Sequence, residues 1–173
     1  MSSNIEYGYK NYDSTLAPFF RKNINENTRH HCSEDIMNIK YLELIDKLKV
    51  LKLPKTIEDF FINNNAYECE IYIKDYTFIS ITKILELYDF YKKDDIENII
   101  DIGFIYQGMG HIKVIYYNTK FNKLFLRMDG GSNAYDRKLN YDLMKEISKK
   151  DSIESINNEN YDFEELLEKI NNE

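Results

Sequence analysis

One stretch, Asp101–Asp136 (DIGFIYQGMGHIKVIYYNTKFNKLFLRMDGGSNAYD), limits what this chain can fold into more than any other. Three runs rich in β-branched and aromatic residues lie in and just before it: Ile99–Gln107, His111–Tyr117 and Lys123–Met128. Gly108-Met109-Gly110 and the polar Asn118–Asn122 separate them, and Asp129-Gly130-Gly131-Ser132-Asn133 ends the third. Residues that fit a pleated surface, bounded by residues that fit turns, predict an antiparallel three-strand meander. Four of the six glycines sit in the first and last of these breaks, where the backbone needs freedom. Ile99–Tyr106 lacks clean alternation, so that strand is expected to be central and buried on both faces.

The flanking segments read mostly as helices. Ser33-Glu34-Asp35 places an N-cap and acids before Ile36, and Ile39, Leu42, Ile45 and Leu48 follow at helical spacing. Pro54 suits the first turn of a second helix carrying Ile57, Phe60 and Phe61, which Asn63-Asn64-Asn65 ends. Cys69–Ile73 reads as a strand, and Asp75–Ile79 as a short strand or a turn. Ser80–Tyr91 and Asn140–Ser148 are amphipathic, and Asp151–Asn160 reads as a linker. Tyr161–Ile170 turns Phe163, Leu166, Leu167 and Ile170 to one side and Glu164, Glu165 and Glu168 to the other. Short turns rather than crossover helices join most strands. The expectation is therefore a single α+β domain, with a mostly antiparallel sheet and helices packed mainly on one face. Residues 1–32 read as an irregular N-terminal arm and residues 33–173 as the domain.

Charge narrows the partners. The chain's net charge is −7. Residues 151–173 hold eight acids against Lys169, a net of −7, which leaves 22 basic and 22 acidic residues in 1–150. A neutral body with an acidic end disfavours nucleic acid and suits a basic protein. The N-terminus lacks the basic and apolar regions of a signal peptide, and no apolar run approaches the ~20 residues that span a bilayer. No membrane contact is expected. Cys32 and Cys69 form neither a disulfide framework nor a zinc motif, which suits a reducing compartment such as the cytoplasm.

Several segments together resemble the SUKH superfamily. LPKTIEDFFINNN (Leu53–Asn65) resembles its opening helix, and YTFISITKILELYDFY (Tyr76–Tyr91) its aromatic strand, turn and helix. IENIIDIGFIYQGMGHIKVIYYNTKFNKLFLRMDGG resembles its sheet core, and YDFEELLEKI (Tyr161–Ile170) its closing helix. The match runs in order over roughly 36–170. Asn65 stands where the family has glycine, the usual tryptophan is replaced by Tyr76 or Phe78, and Gly110-His111 replaces a Gly-Asp or Gly-Asn pair. Members include regulators of yeast cell-wall synthesis, bacterial toxin-immunity proteins and proteins of large DNA viruses. The resemblance implies a mixed α/β domain that binds proteins without shared catalysis or cofactor. In a viral member the compartment would be host cytoplasm or virion.

Candidate sites follow from chemistry. The loop Asp129, Gly130, Gly131, Ser132, Asn133, Ala134, Tyr135, Asp136 and Arg137 combines close backbone approach, adaptable polar groups and two residue types that dominate interfaces. Glu164, Glu165 and Glu168 form a second candidate surface for a basic partner. Exposed tyrosines of the meander would extend the first. The loop lacks the spacing of an EF-hand, and Gly108-Met109-Gly110 is too short for a phosphate loop. Two alternatives compete with protein binding. Tyr106, Tyr116, Tyr117, Phe121 and Phe125, with Lys113, Lys120, Lys123 and Arg127, would form a stacking platform for nucleic acid. His30, His31, Cys32, Cys69 and His111 would supply a small metal-dependent hydrolase. No catalytic residue, cofactor or metal ligand is assigned from the sequence, because no constellation has the spacing of acid–base or nucleophilic work.

Overall fold

Six strands form one open sheet in chain order, each antiparallel to its neighbours: β1 (Ile71–Ile73), β2 (Tyr76–Phe78), β3 (Ile99–Gly108), β4 (His111–Asn118), β5 (Lys123–Met128) and β6 (Glu159–Tyr161). Five α-helices accompany them among the described residues: α1 (Ile39–Val50), α2 (Lys55–Asn63), α3 (Ile81–Lys92), α4 (Arg137–Ser148) and α5 (Phe163–Asn171). The structure, a computed structural model, describes residues 39–108, 111–128, 137–156 and 159–173, without the side chains of 39–40, 106–108, 111, 128 and 137–140. The arm at 1–32 and the helix start at Ser33 lie outside these residues.

The meander is the predicted one. β3 pairs with β4 from Ile99↔Asn118 to Gly108↔His111, and β4 with β5 from Lys113↔Met128 to Asn118↔Lys123. The polar turn works through Asn118, whose Oδ1 accepts from Lys120 N (3.0 Å), and Asn122 closes it at φ 55°. β3 carries a register shift between Asp101 and Gly103, and the carbonyl of Ile102 accepts from Ile79 N (3.0 Å). That bulge ties the β2–α3 junction to the middle of the sheet.

From Ile99 to Ile105 every side chain is buried, as are those of Val114 to Asn118 and Leu124 to Arg127. Burial on both faces demands cover on both, and the helices supply it rather than lying mainly on one face. Phe78 points to one face, where Phe60 of α2 and Phe163 of α5 meet it with ring centroids 5.0 and 6.3 Å away. Arg127 points to the other, in register through Val114 and Phe104 with Thr77, and its Nε donates to Met144 Sδ of α4 (3.1 Å). Tyr91, in the last turn of α3, reaches the same side, donates to Asp101 Oδ2 (2.7 Å) and stacks on Tyr141 of α4.

α1 departs from the stripe read in the sequence. Leu48 is fully buried but Leu42 is half exposed, and the inward face runs Tyr41, Leu44, Ile45, Leu48. Tyr41 belongs to it because its ring stacks on Tyr67 at 4.5 Å. α2 ends in a Schellman motif. Ala66 N donates to Phe61 O and Asn65 N to Ile62 O, with Asn65 left-handed at φ 52°. Asparagine tolerates the conformation that glycine would otherwise supply there.

Candidate functional site

α5 is built to hold an acidic face in one place. Asp162 is its N-cap, and the Glu165 carboxylate turns back to accept from Asp162 N (2.7 Å), completing a capping box. Phe163, Leu166 and Ile170 are buried, whereas Glu164, Glu165 and Glu168 are exposed, as the sequence pattern predicts. At the other end Lys74 donates from Nζ to the carbonyls of Ile170 (2.7 Å), Asn171 (3.1 Å) and Glu173 (2.8 Å). A cation at a helix C-terminus satisfies orphan carbonyls and opposes the helix dipole. Lys74 occupies the β1–β2 turn at φ 54°, so the hairpin and the helix end are one unit. Lys169 is held between Tyr76 and Glu173, and the Glu173 carboxylate keeps its ammonium well above the ordinary range.

Several acids near this helix are already matched. Lys123 bridges Asp162 at 3.0 Å and Lys113 bridges Glu159 at 3.4 Å. Tyr161 donates to Glu159 Oε2 (2.5 Å), and burial together with that bond pushes the Tyr161 hydroxyl up to about 12. Glu164 and Glu168 have no ion pair among the described residues. They stand four apart on one helix, a like-charge spacing that costs a few tenths of a kcal/mol and does nothing for the fold.

β6 runs into α5 and forms one margin of the sheet, pairing with β5 through Leu124↔Tyr161, Phe125↔Asn160 and Leu126↔Glu159. The sequence reads Asp151–Asn160 as a linker and Tyr161 as the start of the last helix, because Glu159-Asn160 is short and polar. The position of β6 follows from long-range anchors, the buried Ile156 before it and the register of Tyr161 with Leu124. Asn160, Tyr161, Glu165 and Glu168 line a shallow depression of about 460 Å³ between β6 and α5.

A second surface lies between α1 and α3, a groove of about 480 Å³ with Leu44, Val50, Leu51 and Leu85 on its walls. Val50 is 73% exposed there. The sequence reading did not find it, since Val50 sits off the buried stripe of α1.

Of the other predicted site residues, Asp129–Asp136 lie outside the described residues, and only the main chain of Arg137 is described. Of the proposed tyrosine platform, Phe121 is half-buried and the side chain of Tyr106 lies outside the described residues. Tyr116, Tyr117 and Phe125 are buried, Tyr116 stacking on Phe125 at 5.4 Å, so they offer no face to a base or to a partner. Their basic surround is engaged as well. Lys113 and Lys123 bridge acids, Lys120 donates to Ser148 O (3.1 Å) and Lys150 O (2.9 Å), and Arg127 is buried against Met144. Of the candidate metal ligands, Cys69 is buried and disulfide-bonded, a correction to the free thiol expected of a reducing compartment. His30, His31 and Cys32 lie outside the described residues, as does the side chain of His111. Among the described residues, no group of three or more His, Cys, Asp or Glu is placed to hold a metal ion, and no helix is long and apolar enough to cross a membrane.

Glu70 is a perturbed acid that the sequence reading missed. Burial pushes its carboxyl up, against the Tyr72 hydroxyl bonded to it and the nearby Lys83 ammonium, and burial lowers Lys83 in turn. A carboxyl raised in the folded state costs stability above its unfolded pKa of ~4.3. The cost is relieved as pH falls through the raised folded value. Glu70→Gln keeps an acceptor for Tyr72 and discards the charge. It should therefore melt higher than the parent at pH 7, with the gap closing toward pH 4.3. A lower melting temperature at pH 7 would mean that the bonds made by the carboxylate outweigh its desolvation.

No protein-family model, curated protein or solved structure matches this chain.

Proposed function

We propose that this is a non-catalytic protein-binding domain, regulatory or immunity-like, as its resemblance to the SUKH superfamily implies. We place it in the cytoplasm, or in host cytoplasm or virion if the chain is viral; the Cys69 disulfide is the one observation that weighs against a reducing compartment. The observation that carries the reading is the face of α5: a helix fixed at both ends whose Glu164 and Glu168 are exposed and, among the described residues, have no cation paired to them. Such a face attracts a basic protein and speeds its encounter. The Asp129–Arg137 loop is the second proposed contact, on its composition.

The test is capture of a partner from the native cell, followed by two variants. Glu164→Lys with Glu168→Lys, leaving Glu165 to cap the helix, should chiefly slow association and flatten its salt dependence. Tyr135→Ala with Arg137→Ala should cost on the order of 2 kcal/mol or more per hot-spot residue. Unchanged binding by both folded variants would remove both surfaces. A salt-dependent shift of RNA or DNA in a gel would instead support a nucleic-acid module. Stoichiometric zinc lost in His31→Ala would support a hydrolase.

A further inference from the structure

The two margins of the sheet differ. β1 is buried along its length, with Ile71 at 0% and Tyr72 at 3% exposure. β6 has Glu159 and Asn160 exposed, and among the described residues its main chain pairs with β5 alone. A marginal strand carries a row of N–H and C=O groups that can bond another strand. We propose that the outer edge of β6 accepts an extended, lysine- or arginine-bearing segment of a partner protein as a further antiparallel or parallel strand. This rests on the protein-binding reading above and names its partner class.

Charge selects the occupant. Side chains of an added strand alternate between the two faces, so every second one points toward α5. There it meets the depression lined by Glu165, Glu168 and Lys169. Among the described residues Glu168 has no ion pair, and Glu165, which accepts from Asp162 N, feels the charge of Lys123 without an ion pair to it. Lys169, the cation beside them, is held by Glu173 and Tyr76. An acidic or neutral strand gains nothing from these carboxylates, and a basic one gains a charge pair at each alternate position. A second copy of this chain is a poor occupant, because two β6 edges brought together would each bring the −7 of residues 151–173. The edge is also only three residues long and carries Glu159, features that keep it from pairing with arbitrary strands. Main-chain bonding would give affinity, and the alternate basic side chains specificity, as in other strand-addition complexes.

Glu164 supplies an internal control. It sits on the same helix with the same charge but lines a different hollow, beside Pro54 and Tyr117. The experiment titrates the full chain with an acetylated peptide, Lys-Thr-Lys-Val-Lys-Thr-Lys, and with its analogue N-methylated at every residue, which keeps the charge but has no N–H left on either edge to pair as a strand. The unmethylated peptide should bind and move the amide signals of Glu159, Asn160 and Tyr161. Methylation should abolish both effects. Glu168→Lys should weaken binding several-fold and Glu164→Lys distinctly less. Equal binding of the two peptides, equal loss in the two variants, unmoved β6 amides or no binding would each overturn the proposal. So would self-association of the chain alone that vanishes in Glu168→Lys, which would seat a second copy at the edge. A native partner retained equally by the parent and by Glu168→Lys would leave protein binding standing and exclude this edge from it.

Discussion

Gly103→Ala is expected to cost roughly 3 kcal/mol, the upper part of the usual range for overpacking. For a chain of this size that lowers Tm by about 6–12 °C. A Cβ at Gly103 would lie 2.5 Å from the Thr77 carbonyl oxygen, 3.2 Å from Phe78 Cα and 3.4 Å from Phe78 Cδ1. Two of these atoms are main chain, so no rotamer change makes room. The strands must separate, and the pairs Thr77↔Phe104 and Phe78↔Gly103 are the ones that suffer. The sign is diagnostic. Replacing glycine by alanine at an unstrained position stabilises a protein by about 0.4–1 kcal/mol through the unfolded state. A melt showing Gly103→Ala as stable as the parent would mean that β2 and β3 do not approach this closely.

That close approach explains a feature that is visible in the sequence without being interpretable there. Gly103 interrupts an apolar run and sits in no turn, and nothing local marks it as the point where β2 lies too close to β3 for a Cβ. The meander was legible because each of its strands is a β-rich run closed by turn residues, and the β4–β5 turn forms where Asn118–Asn122 predict it. The acid-out, apolar-in pattern of α5 was legible for the same reason, since a 3.6-residue period is a local property. Features set by distant partners were not. β6 is three polar residues whose strand geometry comes from Leu124 and Phe125. The latch at the end of α5 joins Lys74 to a carbonyl 96 residues away. Tyr41, rather than Leu42, faces inward because Tyr67 is there to receive it. The tyrosines of β4 read more readily as core than as platform, and their burial bears out the core reading.

The second large effect is expected at Phe78, which is fully buried. Phe78→Ala should cost roughly 3–5 kcal/mol, the usual range for deleting a buried phenylalanine. The ring touches three others, Phe60 at 5.0 Å and Phe61 and Phe163 at 6.3 Å, and Phe60 meets Phe163 at 5.1 Å. Aromatic pairs of this edge-to-face kind contribute about 0.5–1.5 kcal/mol beyond the area they bury. The three remaining rings belong to α2 and α5, so the cavity opens between the sheet and the helices on that face and cannot be filled from one side. The effect should also be uneven. Phe163 is the first residue of α5, directly after its N-cap, while Lys74 still holds the other end. Hydrogen exchange in Phe78→Ala should therefore quicken at the first turn of α5 more than at its last. Because Glu164, Glu165 and Glu168 ride on that helix, partner association should weaken in this variant even at temperatures where it stays folded. A loss below about 1 kcal/mol, within the range of ordinary surface changes and mild substitutions, would show that the four rings do not form one packed unit. Unchanged exchange in α5 would show that the helix is fixed by its caps alone.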